Sequence, residues 1–256
     1  HQLLDRAMEY DPDMILWPET ALPSYLRLSR KDNHLLQKKV NKYEIPLLSG
    51  TIDREYSENK NPIYFNGSIF FKPQQPPQIY HKVKLVPFAE YVPLSGYFPS
   101  LKDLNFGQGN FTAGKEFTLF QSDRFLFANL ICYESSLPDI VRKFVLKGAE
   151  FITIQANDGW LGKTSGPYQH FEIAKMRVIE NRRSIVRSAN TGISGIILPS
   201  GKVLEKKTLG ERSVFKGNVS LSNKMTFYTK FGNILGKWIS LLFILCAGLI
   251  ICLKRL

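Results

Sequence analysis

A layered α/β protein is predicted by three features of the 256-residue chain. Short apolar runs bounded by Gly, Pro and Asn recur along it, helical segments fill two of the gaps between them, and hairpin-length segments follow near the C-terminal third. Strands alternating with helices, then strands joined by tight turns, argue against a helical bundle or a barrel. Hydrophobic residues at 44% and charged residues at 22% describe a globular chain with enough apolar material for a substantial core.

The elements follow in order. MILW (14–17) is a short apolar run ending in Trp-Pro-Glu, a buried strand with Glu19 at its carboxyl end. IPLLSGTI (45–52) and IYFNGSIFF (63–71) are further strands, and QIYHKVKLV (78–86) alternates until Pro87. RFLFANLIC (124–132) is a strand that hands over to a helix, with Ser135 or Ser136 as N-cap, Pro138 in the first turn and an end near Lys147-Gly148. FITIQAN (151–157) is a strand, and YQHFEIAKMRVIENRR (168–183) a helix with Tyr168, Phe171, Ala174 and Val178 on one face. SIVRSAN (184–190), SGIILP (194–199) and KVLEKKTL (202–209) complete the sheet, with a turn at Pro199-Ser200-Gly201. No repeat, low-complexity tract or linker divides residues 1–222.

The ends differ from this body. Residue 1 is His, with no initiator Met and no signal peptide, so the chain is expected to be cut from something longer. WISLLFILCAGLIICL (238–253) carries no charge; extended back to Ile234 with Lys237 snorkelling, it reaches the ~20 residues of a transmembrane helix. Residues 254–256 form a basic tail, but lysines flank both sides of the run and do not set its orientation. The net charge of +12 favours anionic partners. Without a zinc-finger or RNA-binding signature, a membrane surface is the better reading and nucleic acid is not expected. Residues 91–111 are loop-like yet carry Tyr91, Tyr97, Phe98, Phe106 and Phe111. They either pack on the domain or present apolar side chains to acyl chains or the bilayer interface.

Of the 3 cysteines, Cys246 and Cys252 lie in the apolar C-terminal run, which leaves Cys132 as the thiol of the folded body. Free cysteine is often an inert buried residue. The polar Tyr133-Glu134-Ser135-Ser136 that follows, however, suits a pocket rim, and ligands bind at the carboxyl ends of strands in open α/β sheets. A nucleophilic thiol needs a base and a cation or N–H pair for the oxyanion. His81 and His170 are the histidine candidates, but no Asn or Asp flanks His170 in sequence to orient it. Glu19 in WPETALP is the acidic candidate, either a half-desolvated base or a helix-start carboxylate. Lys82 lies in an alternating segment, where lysines are usually solvated, and Glu90 follows eight positions later.

WPETALP, YHKVKLVPFAEYVP and LICYESSLP stand in that order, 63 residues (19 to 82) and 50 residues (82 to 132) apart. Together they resemble the Glu-Lys-Cys triad of the nitrilase (carbon-nitrogen hydrolase) superfamily, and more narrowly its apolipoprotein N-acyltransferase branch. NDGWLG (157–162), IENRRSIVRSANTGISG (179–195) and the terminal apolar run fit the same branch. The resemblance implies a nitrilase-like α-β-β-α sandwich followed by a transmembrane helix. It implies Cys132 as nucleophile, Glu19 as general base and Lys82 as oxyanion stabiliser, helped by the Tyr133 backbone N–H. Glu90 would support Lys82, and Tyr133 and Glu134 match positions the branch requires. The implied reaction moves an acyl chain from a phospholipid, through a Cys132 thioester, to the diacylglyceryl-cysteine amine of an apolipoprotein. It would take place at the outer face of a bacterial cytoplasmic membrane. Two departures stand out: Lys84 replaces a common His and Ala89 a common Gly. The same triad would serve an amidase acting on a small amide, from which the membrane helix and aromatic loop separate this chain. No metal-ligand spacing or phosphate loop is present in the sequence, and neither metal nor cofactor is expected.

Overall fold

The structure is a computed structural model that describes residues 2–95, 97–98, 100–101 and 110–253, without the side chains of 248, 249, 251 and 252. Phe106, the Gly107-Gln108-Gly109 segment and the basic tail at 254–256 therefore lie outside the described residues.

Its first part runs α1 (Gln2–Met8), β1 (Ile15–Leu16), α2 (Arg30–Tyr43), β2 (Leu47–Tyr56), β3 (Pro62–Lys72) and β4 (Gln75–His81). The second runs β5 (Leu119–Gln121), β6 (Leu126–Ile131), α3 (Pro138–Leu146), β7 (Phe151–Asn157), α4 (Gly166–Asn181), β8 (Ile185–Asn190), β9 (Gly195–Ile197) and β10 (Val203–Lys206). The strands make a four-stranded sheet, β1-β2-β3-β4, and a six-stranded sheet, β10-β9-β8-β7-β6-β5. β6, β7 and β8 pair in parallel, which requires the crossovers that α3 and α4 supply.

The layers follow from strand periodicity. Leu47 points to a core formed with α1 and α2, whereas its neighbour Leu48 joins the other core between the sheets. Ile69 and Phe71 likewise face the first core and Phe70 the second. Phe70 meets Phe127 of β6 nearly edge-on, with ring centroids 5.2 Å apart. Ile140, Val141 and Phe144 of α3 and Phe171, Ala174 and Val178 of α4 cover the far side of the second sheet. Helices, sheet, sheet and helices thus stack as four layers.

The seam between the sheets also carries polar groups. Asn129 donates to Ser68 and Gln155, at 2.7 and 2.9 Å, and Thr153 donates to Asn129 Oδ1 at 2.7 Å. Gln155 Nε2 then donates to the Trp17 carbonyl at 2.6 Å, tying the end of β1 to β7. Such a chain stabilises a buried seam because its members satisfy one another.

Several local expectations are corrected. β4 ends at His81 instead of continuing to Val86, because the chain leaves the sheet to place Lys82 and Glu90 together. Ser135 and Ser136 belong to a tight 3-10 turn over Cys132–Ser136, and Leu137 is the N-cap of α3 without a side-chain cap. Phe171, Ala174 and Val178 are buried as expected, but Tyr168 is exposed near the start of α4. The C-terminal apolar run forms α6 (Ile234–Leu253), after the short α5 (Phe227–Phe231). Among the described residues no helix is long and apolar enough to cross a membrane. The described side chains of α6 are continuous only from Ile234 to Ala247, so part of that expectation lies outside them.

Candidate active site

Four chain segments leave the carboxyl ends of β1, β4, β6 and β7 and meet in one polar cluster. Glu19 follows β1, where Gly50 allows the close approach: a Cβ there would sit 2.6 Å from the Glu19 Cα. Lys82 follows β4 and is held by its backbone N–H on the Asn66 carbonyl at 2.9 Å. Cys132 follows β6 in the left-handed region at φ 50°, a conformation that costs a non-glycine residue about 1–2 kcal/mol. Asp158 opens the turn after β7.

Glu19 is buried, and burial, with the Glu90 charge, pushes its carboxyl above the usual range although Lys82, Asn66 and the Asn157 backbone N–H oppose the shift. Its Oε1 accepts from Asn66 Nδ2 at 2.8 Å, while Oε2 has no hydrogen-bond partner among the described residues. Lys82 is almost fully buried. Burial opposes its charge, but Glu19, the Cys132 thiol, Glu90 and Glu134 outweigh it and raise its proton affinity. Its Nζ donates to both oxygens of Glu90, at 2.9 and 2.8 Å. Glu90 also accepts from Asn66 Nδ2 and from the Val86 N–H, both at 2.8 Å, so one amide spans the Glu19 and Glu90 carboxylates. The half-buried Cys132 thiol is pushed up to about 12, first by burial, then by Glu19, against the opposing charge of Lys82. A neutral thiol beside a carboxylate with an open lone pair and an ammonium is competent for attack coupled to proton transfer.

Glu134 is fully buried and faces away from that reaction. Its Oε1 accepts from Tyr80 Oη at 2.7 Å and from the N–H groups of Val83 and Lys84 at 2.8 and 3.1 Å. Its Oε2 accepts from Ile131 N–H at 2.9 Å. It braces the segment after Lys82 against the strand before Cys132. Tyr133 is half-buried in the turn that follows the thiol. Ala89 does not need glycine's freedom, since the positive φ of its turn is at Phe88, at 62°.

Sequence reasoning missed Asn66, Tyr80 and the partner of His170. Flanking residues offer His170 no carboxylate, but the fold brings Asp158 Oδ1 to 2.8 Å from its Nδ1. Its other nitrogen faces Ser135 Oγ and the Cys132 carbonyl, so it is not paired with the thiol as a base. His81 instead binds Asp53 at 2.8 Å and stacks on Phe65. Asp158 and Arg187 do lie in the quoted NDGW and RSAN stretches, a signal that singled out the segments but not their pairing.

Two groups bring potential metal donors together among the described residues: Cys132, Asp158 and His170, and Asp53, Glu55 and His81. In the first, Arg187 already places a guanidinium on Asp158 Oδ2 at 2.8 Å; in the second, Arg27 does so on Asp53 at 2.9 Å. Both carboxylates are thereby neutralised by protein cations.

A two-sheet α/β sandwich with Glu, Lys and Cys at its strand ends defines a class. Residues 1–224 match the carbon-nitrogen hydrolase family, and the chain belongs to that family. Its fold is nitrilase-like. The carbon-nitrogen hydrolase of Helicobacter pylori G27 superposes with a TM-score of 0.65 at 17% identity, covering 82% of this chain and 79% of that one. Saccharomyces cerevisiae Nit3, of the nitrilase superfamily, gives 0.61 at 18% identity, with the same 82% and 79% coverage.

Sequence relatives narrow the comparison. The apolipoprotein N-acyltransferase of Chlorobaculum tepidum is 38% identical over 240 residues, covering 85% of this chain and 45% of the relative. That of Aquifex aeolicus is 34% identical over 219 residues, covering 83% and 46%. The chain thus spans less than half the length of these relatives.

Proposed function

We propose that this chain is the catalytic part of a membrane-bound apolipoprotein N-acyltransferase. The observation that carries the reading is the convergence of buried Glu19 and Lys82 on the half-buried Cys132, with Glu19 Oε2 unpartnered among the described residues, in a chain whose similar sequences bear that activity in their names. Cys132 Sγ attacks the ester carbonyl of a phospholipid as Glu19 takes the thiol proton. Lys82 and the Tyr133 N–H hold the oxyanion, and Glu90 holds Lys82 in place. The C–O bond breaks, the lysophospholipid oxygen takes the proton from Glu19, and the acyl chain remains as a thioester. The free amine of a diacylglyceryl-cysteine then attacks the thioester carbonyl and loses a proton to Glu19; the C–S bond breaks, the Cys132 sulfur takes that proton back from Glu19, and the acyl chain leaves as an amide.

The surface supports a lipid setting. Phe88, Leu94, Tyr97, Phe98, Trp160 and Leu161 are exposed, beyond what a water-facing rim needs. Trp238, Ile239, Leu242, Phe243 and Leu245 of α6 are also exposed. An all-round apolar helix needs a non-aqueous cover, and we assign α6 with the residues around it to the bilayer. The family resemblance supports placing the catalytic body on the extracytoplasmic side of a bacterial inner membrane.

The test uses membranes containing the full-length protein and phosphatidylethanolamine with a labelled acyl chain. Wild type should acquire hydroxylamine-sensitive label and Cys132→Ser should not. Label that persists in Cys132→Ser overturns this reading, as does an unlabelled wild type that releases ammonia from small amides.

A further inference from the structure

The Cys132 carbonyl is held by more polar machinery than a turn requires. It accepts from Ser135 Oγ at 2.7 Å and lies 3.1 Å from His170 Nε2, which is itself 2.9 Å from Ser135 Oγ. His170 Nδ1 lies 2.8 Å from Asp158 Oδ1, and Arg187 Nη2 donates to Asp158 Oδ2 at 2.8 Å and lies 3.1 Å from His170 Nδ1. Arg187 is fixed in turn by Nε on the Ile193 carbonyl at 3.0 Å. Ser135 and Arg187 are fully buried, and Asp158 and His170 nearly so. Gly192 closes over the carboxylate: a Cβ there would fall 2.2 Å from Asp158 Oδ2. The turn after β6, the turn after β7, α4 and β8 all contribute, and their polar chain ends on one carbonyl oxygen.

That oxygen shares a peptide plane with the Tyr133 N–H. In a planar trans peptide the C=O and N–H point in opposite directions, and no peptide among the described residues is cis. Clamping the Cys132 oxygen on one side therefore aims the Tyr133 N–H on the other. Hydrogen bonds to a carbonyl also polarise the N–H of the same peptide. We propose that Asp158, His170 and Ser135 are positioning residues that set the direction and donor strength of the Tyr133 N–H toward the forming oxyanion. The inference rests on the reading of Cys132 as nucleophile and of the Tyr133 N–H as oxyanion donor.

Two probes of the full-length enzyme separate this role from general support of the thiol. With p-nitrophenyl butyrate, the Cys132 S–C bond forms, the ester C–O bond breaks, p-nitrophenolate leaves, the thiol proton passes to Glu19, and an oxyanion forms on the way. With methyl methanethiosulfonate, the thiol sulfur displaces methanesulfinate and no oxyanion develops. Ser135→Ala and His170→Asn should slow the p-nitrophenolate burst about 10- to 100-fold at unchanged KM, short of losing an oxyanion donor outright. Their reaction with methyl methanethiosulfonate should stay at the wild-type rate. His170→Gln, which returns an amide donor near the Nε2 position, should recover part of the burst. Ser135→Ala removes a single oxygen, and its fold is checked by tryptophan fluorescence.

A folded Ser135→Ala variant with a wild-type burst overturns the proposal, as does an equal loss with both probes. A wild type without any burst removes its premise. A normal burst with no phospholipid label defeats only the phospholipid reading and leaves the positioning array standing.

Discussion

The turns after β1 and β6 make a natural pair. Each follows a buried strand, contains a residue with positive φ (Thr20 at 47°, Cys132 at 50°) and buries a glutamate. Burial raises the proton affinity of both Glu19 and Glu134. What differs is the number of donors each meets. Both Glu134 oxygens are occupied by backbone N–H groups and a phenol, whereas Glu19 Oε2 has no hydrogen-bond partner among the described residues. A carboxylate with its lone pairs spent is a strut, and one with an open lone pair is able to take a proton. Burial and a shifted pKa alone do not distinguish the two.

The sharpest way to break the comparison is to exchange each acid for its amide. Glu19→Gln should lower thioester formation about 10²- to 10⁴-fold, as expected for losing a general base, with little change in thermal midpoint. The Glu19 charge raises the Cys132 thiol, so its removal should lower the thiol pKa. The variant should form more thiolate at high pH, seen by ultraviolet absorbance, and still acylate slowly. If rate and thiolate rise together, Glu19 is not the base.

Lys82→Met tests the charge that both turns face. It should lower acylation about 10²- to 10³-fold, as for loss of an oxyanion donor, and raise the thiol pKa further. Single-turnover kinetics and a thiolate titration measure the two effects.

Glu134→Gln should act on stability. An amide nitrogen in place of one oxygen confronts backbone N–H donors, at a cost of about 1–3 kcal/mol in denaturant unfolding. The sign of the pH effect is separate. Because the folded-state pKa of Glu134 lies above its ordinary 4.5, its protonated form favours the fold below that value, and this contribution is lost as pH rises through the folded-state pKa. Stability should fall with rising pH over that window in wild type, and less steeply in Glu134→Gln. The smallest effect is expected of Tyr80→Phe, which removes one of the donors to Glu134 and should cost about 1 kcal/mol in the same unfolding assay.

Local pattern made much of the fold legible. FITIQAN matches β7 because Ile152, Ile154 and Ala156 alternate with Thr153, Gln155 and Asn157 at the period of a strand. The helix expected at 168–183 is observed as Gly166–Asn181, its core face marked by Phe171, Ala174 and Val178. The overextended β4 shows where the pattern misleads: Lys82, Lys84 and Val86 continue an alternation that the chain abandons once it must reach Glu90. Asn66 was not singled out because an asparagine in a strand has no periodic signature, and its carboxylate partners lie 47 and 24 positions away.

By itself the sequence determined β1 to β4, the strand–helix order from β6 to β10 and the three polar stretches at Glu19, Lys82 and Cys132, but not α1, α2 or β5, since periodicity and composition are local properties. It left open whether Cys132 was an inert thiol, whether Glu19 capped a helix and whether His170 was an unoriented base. Tertiary structure decided which carboxylate oxygen stays open, which amide bridges two acids, and that His170 turns toward a carbonyl. The physical reason is that a buried polar group is defined by the donors and acceptors around it, and here they arrive from distant strands.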